Sequence, residues 1–590
     1  MNKFLIFVGA IFAVLILADV KTGSLTTNDV FLAMNSEKTE IKTAEKYFKV
    51  SGQAKSFYEK IFKKLVEEEF EDEFYGAVIS PDLSFSKEVA EFFNNLKATQ
   101  EVKTFVVIGE NHKLIGPSTI LISKNGFETH FGKLEPDFEV LDKLKYKNSV
   151  NAFNKENSIS FFAPFIKKFF PEARIVPILV KDFSDEKSIE ALVETLDKDS
   201  FVIASTAFSQ NLSESVAKFH DELTMDVLES FDTSGVAQMD VDSRPVLLAL
   251  MKYLESQKAQ EVEVIEDGLT NKIVAFKKGD PVKESRDMTI MAFGDMMLGR
   301  YVRTLMDANG QDYIFEKIRG HENRFFEGAD VVFGNLEGPI KGDGVKSATG
   351  MVFGFPENVA PLLKKYGFNL LSISNNHAVD QGWDGVGTTI NALESSGVGW
   401  CGHPSETDPN SVYYGKVGEK KFGFVCLHDV TFKLDDHGAI DLIESVRPNV
   451  DFLVVSIHWG IEYKHSPDWG SQISPGRAFI DAGADFVIGH HPHVVQTFEV
   501  YNGKFIFYSL GNFVFDQYWS QDTQEELAIG IVLGEEASKV YLYPMKSERS
   551  QSRLMSADES LSWTEKFINY GEYSEDMKEQ IRKGVIEIAK

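Results

Sequence analysis

The run Ala484-Asp485-Phe486-Val487-Ile488 closes on Gly489-His490-His491-Pro492-His493, three imidazoles within four residues. A short apolar run that stops at a glycine reads as a buried strand. The cluster behind it then lies at the carboxyl edge of a sheet, where open α/β sheets carry their ligands. A lone His is more often a hydrogen-bonded core group than a ligand. Three together, at a strand end matched by others, point to a metal or phosphate site.

Four other runs end in the same way. Met288 to Phe293 leads into Gly294-Asp295, and Ala329 to Phe333 into Gly334-Asn335-Leu336-Glu337-Gly338-Pro339. Leu370 to Ile373 ends in Ser374-Asn375-Asn376-His377, with Asp380 three residues on, and Asp451 to Ile457 ends in His458-Trp459-Gly460. Any one Gly-Asp or Gly-Asn pair is an ordinary turn. Turns are a poor explanation of all five, because ten of the thirteen His fall in this half of the chain. Hard divalent cations take oxygen and imidazole ligands, and rigid strand ends hold such ligands in place.

At 590 residues the chain is too long for one core and predicts several domains. A net charge of −28 argues against a nucleic-acid backbone as partner, although a local basic pocket still suits phosphate. Cys401 and Cys426 are the only cysteines, too few for a disulfide framework or a thiolate metal site. The fold is therefore expected to stand on its cores, and a metal on His, Asp, Glu and Asn. Phe4 to Ala18 are fifteen apolar or small residues behind Lys3, short for a membrane span and typical of a signal-peptide core. Residues 1–20 are expected to export the chain to the cell surface or periplasmic side, as a cleaved signal or a retained membrane anchor.

Residues 21–45 are polar and read as a linker. Helical spacing is predicted from Tyr47 to about Phe70, ending in the acidic run Glu67 to Glu73. Strand-like runs at Ala77–Ile79, Phe105–Gly109, Arg174–Val180 and Phe201–Ala204 then alternate with helical Glu88–Leu96 and Phe161–Phe170, which predicts an α/β domain over 46–280. Gly279-Asp280-Pro281 to Asp287 marks the boundary. A second domain covers 288–545, and 546–590 is a polar tail, helical from Met577 to Ala589.

In the first domain, Ile79 to Ser86, Glu110-Asn111-His112, Asn157 to Phe165, Ser205 to Gln210 and Asp242-Ser243-Arg244-Pro245 resemble the MEMO family, an α/β fold whose best-known members hold a metal with three His. Where that pattern places metal-binding His, this chain has Asp82, His112 and Gln210. Asn157 and Ser160 replace its His and Glu, and Asp242 stands where a Cys is common. An amide is a poor ligand, so the resemblance implies a degenerate domain that binds or scaffolds rather than catalyses.

In the second domain, Gly294 to Arg300, Asn335 to Pro339, Asn375 to Gly382, His458 to Tyr463, Gly489 to His493 and Tyr508 to Asp516 resemble the CapA family of poly-γ-glutamate capsule biosynthesis proteins, itself similar to calcineurin-like metallophosphoesterases. The two resemblances imply an α/β chain of two domains, the second a metallophosphoesterase-like α/β sandwich of two mixed sheets flanked by helices. They imply a metal site of Asp295, Asn335 or Glu337, Asn376, His458, His491 and His493, with His490 an alternative to His491. One or two divalent ions (Mn, Zn, Fe or Mg) would sit there, two of them clamping attacking and leaving oxygens. His377, steadied by Asp380, would be the general acid, and Arg300 and Asn512 the substrate contacts. Phosphoesterases carry Asp-x-His on the first strand, whereas this chain reads Asp295-Met296-Met297, which favours metal binding over two-metal hydrolysis. Trp383, Trp459, Tyr463, Trp469 and Trp519 lie near these motifs, as packing or as an aromatic rim for an extended substrate.

The expected function is synthesis, export or trimming of an anionic cell-envelope polymer, alongside capsule-assembly proteins. The alternatives are a metal-dependent phosphoesterase acting on a phosphate-containing substrate and a non-enzymatic scaffold.

Overall fold

The computed structural model describes residues 46–50, 53–209, 212–318, 325–341 and 351–589. The expected export segment, the linker and Gln210 lie outside them. The chain forms two compact units: residues up to Phe208 with Val241–Pro281, and Ser209–Asp240 with Val282–Lys590. The boundary is therefore not a single point in the sequence. Segment 209–240 belongs to the second unit because its helix Glu214–Glu229 packs Phe219 5.2 Å from Tyr541, while Glu222 accepts from Lys539 Nζ at 2.8 Å.

The first unit is built on an eight-stranded sheet. Phe74–Ile79, Phe201–Ser205, Thr104–Glu110 and Arg174–Val180 form its parallel centre, with antiparallel strands toward both edges. These central strands are continuous apolar runs, as expected of a sheet covered on both faces. The helix expected from Tyr47 to Phe70 is shorter. Tyr47–Lys49 is instead a strand, parallel to Gly126–Thr129, and the helix spans Lys55–Phe62. The acidic run that follows is exposed at Glu67–Glu69, where like charges disfavour a further turn.

The second unit is a sandwich. Its strands are β1 (Met288–Met296), β2 (Val331–Leu336), β3 (Leu370–Ser372), β4 (Gly399–Cys401), β5 (Val412–Val417), β6 (Lys420–His428), β7 (Phe452–His458) and β8 (Phe486–His490). They continue with β9 (Phe498–Tyr501), β10 (Lys504–Phe507), β11 (Asn512–Val514), β12 (Glu525–Leu533), β13 (Ala537–Glu548), β14 (Gln551–Leu554) and β15 (Val585–Ala589). One sheet runs β4-β3-β2-β1-β12-β13-β14, with β11 on β1 and β15 on β13, and the other β5-β6-β7-β8-β10-β9.

Alternation within each strand divides its side chains between two layers. Ile290, Ala292, Phe333, Phe424, Val454, Phe486 and Ile488 meet in one core between the sheets. Val425, Val455, Ile457 and Val487 face the other way, onto helices Asp436–Val446 and Ser474–Asp481. Cys401 and Cys426, too few for a disulfide framework, are both buried and joined as a single disulfide across the core between the sheets, Cα to Cα 5.5 Å. The residues after 546 are not a detached tail. Helix Ala557–Ile568 buries Trp563 and Phe567, and helix Glu575–Lys583 stops at left-handed Gly584, after which β15 pairs with β13. The expected helix to Ala589 therefore turns into a strand, with Ile586 buried.

Candidate metal centre

Parallel pairing puts carboxyl ends side by side, and register sets which residues stand abreast. On the first sheet Asp295 lies beside Asn335 and Asn512, and Asn335 beside Ser372. On the second, His428, His458 and His490 form a row. Two glycines let the backbones close up: a Cβ on Gly294 would lie 2.0 Å from the Gly511 carbonyl oxygen, and one on Gly489 2.0 Å from that of Tyr508.

The side chains at these ends interlock. Asn335 Nδ2 donates to Asp295 Oδ1 at 2.8 Å and faces His458 Nδ1 at 3.1 Å. The His491 amide donates to Asp295 Oδ2 at 3.1 Å. His458 Nε2 lies 2.8 Å from Asn376 Oδ1 and 3.2 Å from His491 Nδ1. Asp295 also has His490 Nδ1 and His493 Nδ1 each at 3.5 Å, and Glu337 Oε1 is 3.7 Å from His493 Nε2. Asp295, Asn335, Glu337, His458, His490, His491 and His493 are all buried.

This environment sets the protonation states. Burial opposes the charge on Asp295, but His490 and His493, with His458 beyond them, hold it well below the usual carboxylate range. Burial, then the Asp295, Glu462 and Asp380 carboxylates, push Glu337 well above that range against the pull of His493. Burial and the neighbouring His491 push His458 well down, and burial and His493 bring His491 to about 3. Burial also works against charge on His493, yet Glu337 and Asp295 outweigh it and raise His493 to about 9.

The donor set fits a divalent cation. Both carboxylate oxygens of Glu337 and both ring nitrogens of His490 are buried without hydrogen-bond partners, which is costly unless something else satisfies them. Proton and metal compete for the same imidazole nitrogen, so an ion bound here would displace the proton from His493. Two triads bring one ligand atom each within 4.8 Å of one another: Asp295, Glu337 and His458, and Glu462, His491 and His493. Glu462 was not selected from the sequence. Its signal in the sequence is a carboxylate four residues past His458, within the motif His458 to Tyr463.

Beside the cluster, His377 Nδ1 meets Asp380 Oδ2 at 2.8 Å, its ring stacks on Phe353 at 3.8 Å, and its Nε2 is 3.9 Å from Glu337 Oε1. Arg300 is committed to Asp516 by a two-nitrogen ion pair. Asn512 is 1 % exposed, its Oδ1 3.0 Å from His493 Nδ1 and its amide donating to Gln517 and the Thr523 carbonyl; its contacts orient His493 rather than reach solvent. His428, in the same row, has Nδ1 on the Pro404 carbonyl and Nε2 accepting from the Thr431 amide, so it packs as a satisfied core residue. Trp459 is fully buried, whereas Trp383, Tyr463, Trp469 and Trp519 are exposed.

In the first unit the corresponding described residues form no triad of clustered ligand atoms, although Asp242 lies close enough to His112 to act on its charge. Asp82 caps a turn by accepting from the Ser84 amide at 2.7 Å, and Asn157 is exposed. His112, with 47 % of its side chain exposed, lies 3.2 Å from Glu156 and 3.7 Å from Glu110. The hydrogen bond to Glu156, joined by Glu110, overcomes burial and raises His112 to about 9. Among the described residues, both triads with clustered ligand atoms belong to the second unit.

Comparison with known proteins also separates an N-terminal from a C-terminal region, although the N-terminal match runs through segment 209–240. Residues 289–517 match the family described as bacterial capsule synthesis protein PGA_cap, and residues 44–276 match Memo-like protein. The chain is 32% identical over 271 residues to the capsule biosynthesis protein CapA of Bacillus anthracis, an alignment covering 42% of this chain and 65% of that protein. It is 34% identical over 251 residues to the PGA biosynthesis protein CapA of Bacillus subtilis, covering 40% of this chain and 65% of that protein. A MEMO1 family protein of Pyrobaculum aerophilum is 26% identical over 146 residues, covering 23% of this chain and 52% of that protein. The chain thus spans just under two thirds of the CapA relatives' length. Its C-terminal half is similar to the PGA_cap family and its N-terminal half to Memo-like protein.

Proposed function

We propose that the C-terminal domain uses a divalent metal at its strand ends to bind and trim an anionic capsule polymer of the poly-γ-glutamate type. The observation that carries this reading is the buried Asp295, Glu337 and His458 triad, with Glu337 left without hydrogen-bond partners. The capsule names of the CapA relatives support the substrate class.

Asp295, Glu337, Asn376, His458, His491 and His493 would hold the ion, with His490 against Asp295. When bound, it would supply Lewis acidity at the carbonyl oxygen of the amide to be cleaved, with water as the nucleophile. The remaining work falls to the chain. Asp380 fixes the His377 ring through Nδ1 and leaves Nε2 facing the cluster, where it can deliver a proton to a leaving group. Exposed Tyr463 and Trp519, their rings 6.1 Å apart, and Tyr463 6.1 Å from His493, offer an apolar platform to the methylenes of an extended polymer. The His377–Asp380 pair favours a second reading equally, hydrolysis of an envelope phosphoester.

Export is part of the proposal. The apolar Phe4 to Ala18 stretch and a buried disulfide both suit an oxidising compartment. No helix among the described residues is long and apolar enough to cross a membrane. The N-terminal domain is proposed as a binding or scaffolding module without a metal of its own.

The test is incubation of the Mn²⁺-loaded full chain with poly-γ-glutamate and, separately, a generic phosphodiester. Shortening of the polymer that is lost in His377→Ala supports polymer trimming, and release of phosphate alone supports the second reading. Neither polymer binding nor hydrolysis by the loaded protein would sink both.

A further inference from the structure

The hydrogen bond to Asp380 fixes only one edge of the His377 ring. A ring held at Nδ1 alone can still tilt about that bond and carry Nε2 away from the cluster. An aromatic face removes this freedom. The His377 ring stacks on Phe353, with centroids 3.8 Å apart and planes 23° from parallel. Phe353 is buried, and both of its backbone groups are held by residues just past His377. Its amide donates at 2.6 Å to Asp380 Oδ2, the same oxygen that meets His377 Nδ1, and its carbonyl accepts from Gln381 Nε2 at 2.7 Å.

The segment carrying Phe353 is placed in turn by the strand end that supplies Glu337. The Phe355 amide donates to the Pro339 carbonyl at 2.8 Å, and its carbonyl accepts from the Lys341 amide at 3.1 Å. Gly338 stands between them at φ 136°, and a Cβ there would lie 2.7 Å from the Phe355 ring and 3.0 Å from Phe353 Cβ. Beside the ring, the Arg300 guanidinium lies 5.1 Å from the Phe353 centroid and 5.9 Å from that of Phe515, which meets Phe353 edge-on at 6.1 Å. Arg300, expected from the sequence to contact substrate, is engaged by Asp516 and by these two rings.

We infer that Phe353, backed by Arg300, is a positioning residue that fixes the plane of the His377 ring and so aims Nε2 at the cleaved bond. This rests on the proposed role of His377 as proton donor and deepens it. The hydrogen bond to Asp380 sets where Nδ1 sits, and the stack sets where Nε2 points, 3.9 Å from Glu337 Oε1. A reacting group misplaced by about 1 Å can cost about 10²-fold in rate, so the ring plane matters to turnover. Phe353 is buried and does not itself meet substrate, so its loss acts on kcat and not on KM.

The test is kcat, KM and bound metal for the Mn²⁺-loaded full chain, with poly-γ-glutamate and with bis(p-nitrophenyl) phosphate. Phe353→Leu keeps an apolar side chain without a ring, and should lower kcat by about 10²-fold with KM and metal content unchanged. Phe353→Tyr should recover most of that rate. Arg300→Lys should lower kcat in the same direction and by less, whereas a substrate contact there would raise KM. The geometry is read separately by NMR of the Zn²⁺-loaded chain with labelled histidine, the His377 ring protons being identified by their loss in His377→Gln. Stacking moves these protons upfield in the wild type, and Phe353→Leu should return them to the ordinary imidazole range. Wild-type kcat in Phe353→Leu, or His377 shifts that it leaves unaltered, overturns the positioning role while His377 stands as proton donor. Metal lost in Phe353→Leu also overturns it, since Phe353 would then support the metal centre as a whole. A wild type that cleaves neither substrate removes the proposed function, and this role with it.

Discussion

The two domains share a building rule and differ in what it delivers. Each has parallel strands whose carboxyl ends form a potential site. In the Memo-like domain those ends offer Asp82 engaged in a turn and a half-exposed His112 paired with Glu156. In the PGA_cap domain they offer Asp295, Asn335, His458 and His490 abreast in two buried rows. Strand-end geometry is therefore common to both, and a metal site needs more. Ligands must come from two sheets at once, buried so that solvent does not already satisfy them.

The comparison can be broken most sharply at His377. If the PGA_cap site is catalytic, His377→Ala should lower hydrolysis by about 10²–10⁴-fold while metal content is unchanged. Equal loss from His112→Ala would erase the contrast between the domains. Next in size is the disulfide. Cys401 and Cys426, 25 residues apart, tie the two sheets, so replacing both with Ser should cost the PGA_cap domain about 3 kcal/mol in urea unfolding. The Memo-like transition should stay where it is. Metal removal by chelation should lower the stability of the PGA_cap domain by about 2.7 kcal/mol relative to a free ion concentration 100-fold above its Kd. The Memo-like domain should not respond.

The smallest effect concerns pH. His112 is raised from 6.5 to about 9 in the folded state. A raised imidazole contributes stability that is fully present below pH 6.5 and is lost as pH rises through about 9. His112→Gln should therefore cost more at about pH 6 than at about pH 10, in urea titrations of the two proteins. No difference between the two would mean that the pair with Glu156 is absent in solution.

Much of this was legible in the sequence because apolar runs, glycines and polar ends repeat. The runs at Arg174–Val180, Met288 to Phe293 and Asp451 to Ile457 are strands, and the residues that close the last two, Asp295 and His458, converge. Less legible was anything set by distant contacts. Register made His428 a neighbour of His458, but local hydrogen bonds to Pro404 and Thr431 satisfied it, which no spacing rule reveals. Asn512 looked like a substrate contact within its motif, and only packing shows it spent on His493 and Thr523. Segment 209–240 and β15 lie in the second unit through aromatic and sheet contacts far apart in sequence. Cys401 and Cys426 were judged by number, whereas the sandwich brings them together by topology.

The most direct measurement is bound metal per chain, by elemental analysis, in the wild type and in the His458→Ala, His491→Ala double variant. At least one stoichiometric divalent ion in the wild type, lost in the double variant while His112→Ala retains it, is the expected result. No metal in the wild type after exposure to Mn²⁺ and Zn²⁺, or metal that survives the double substitution, would contradict a metal centre at these strand ends.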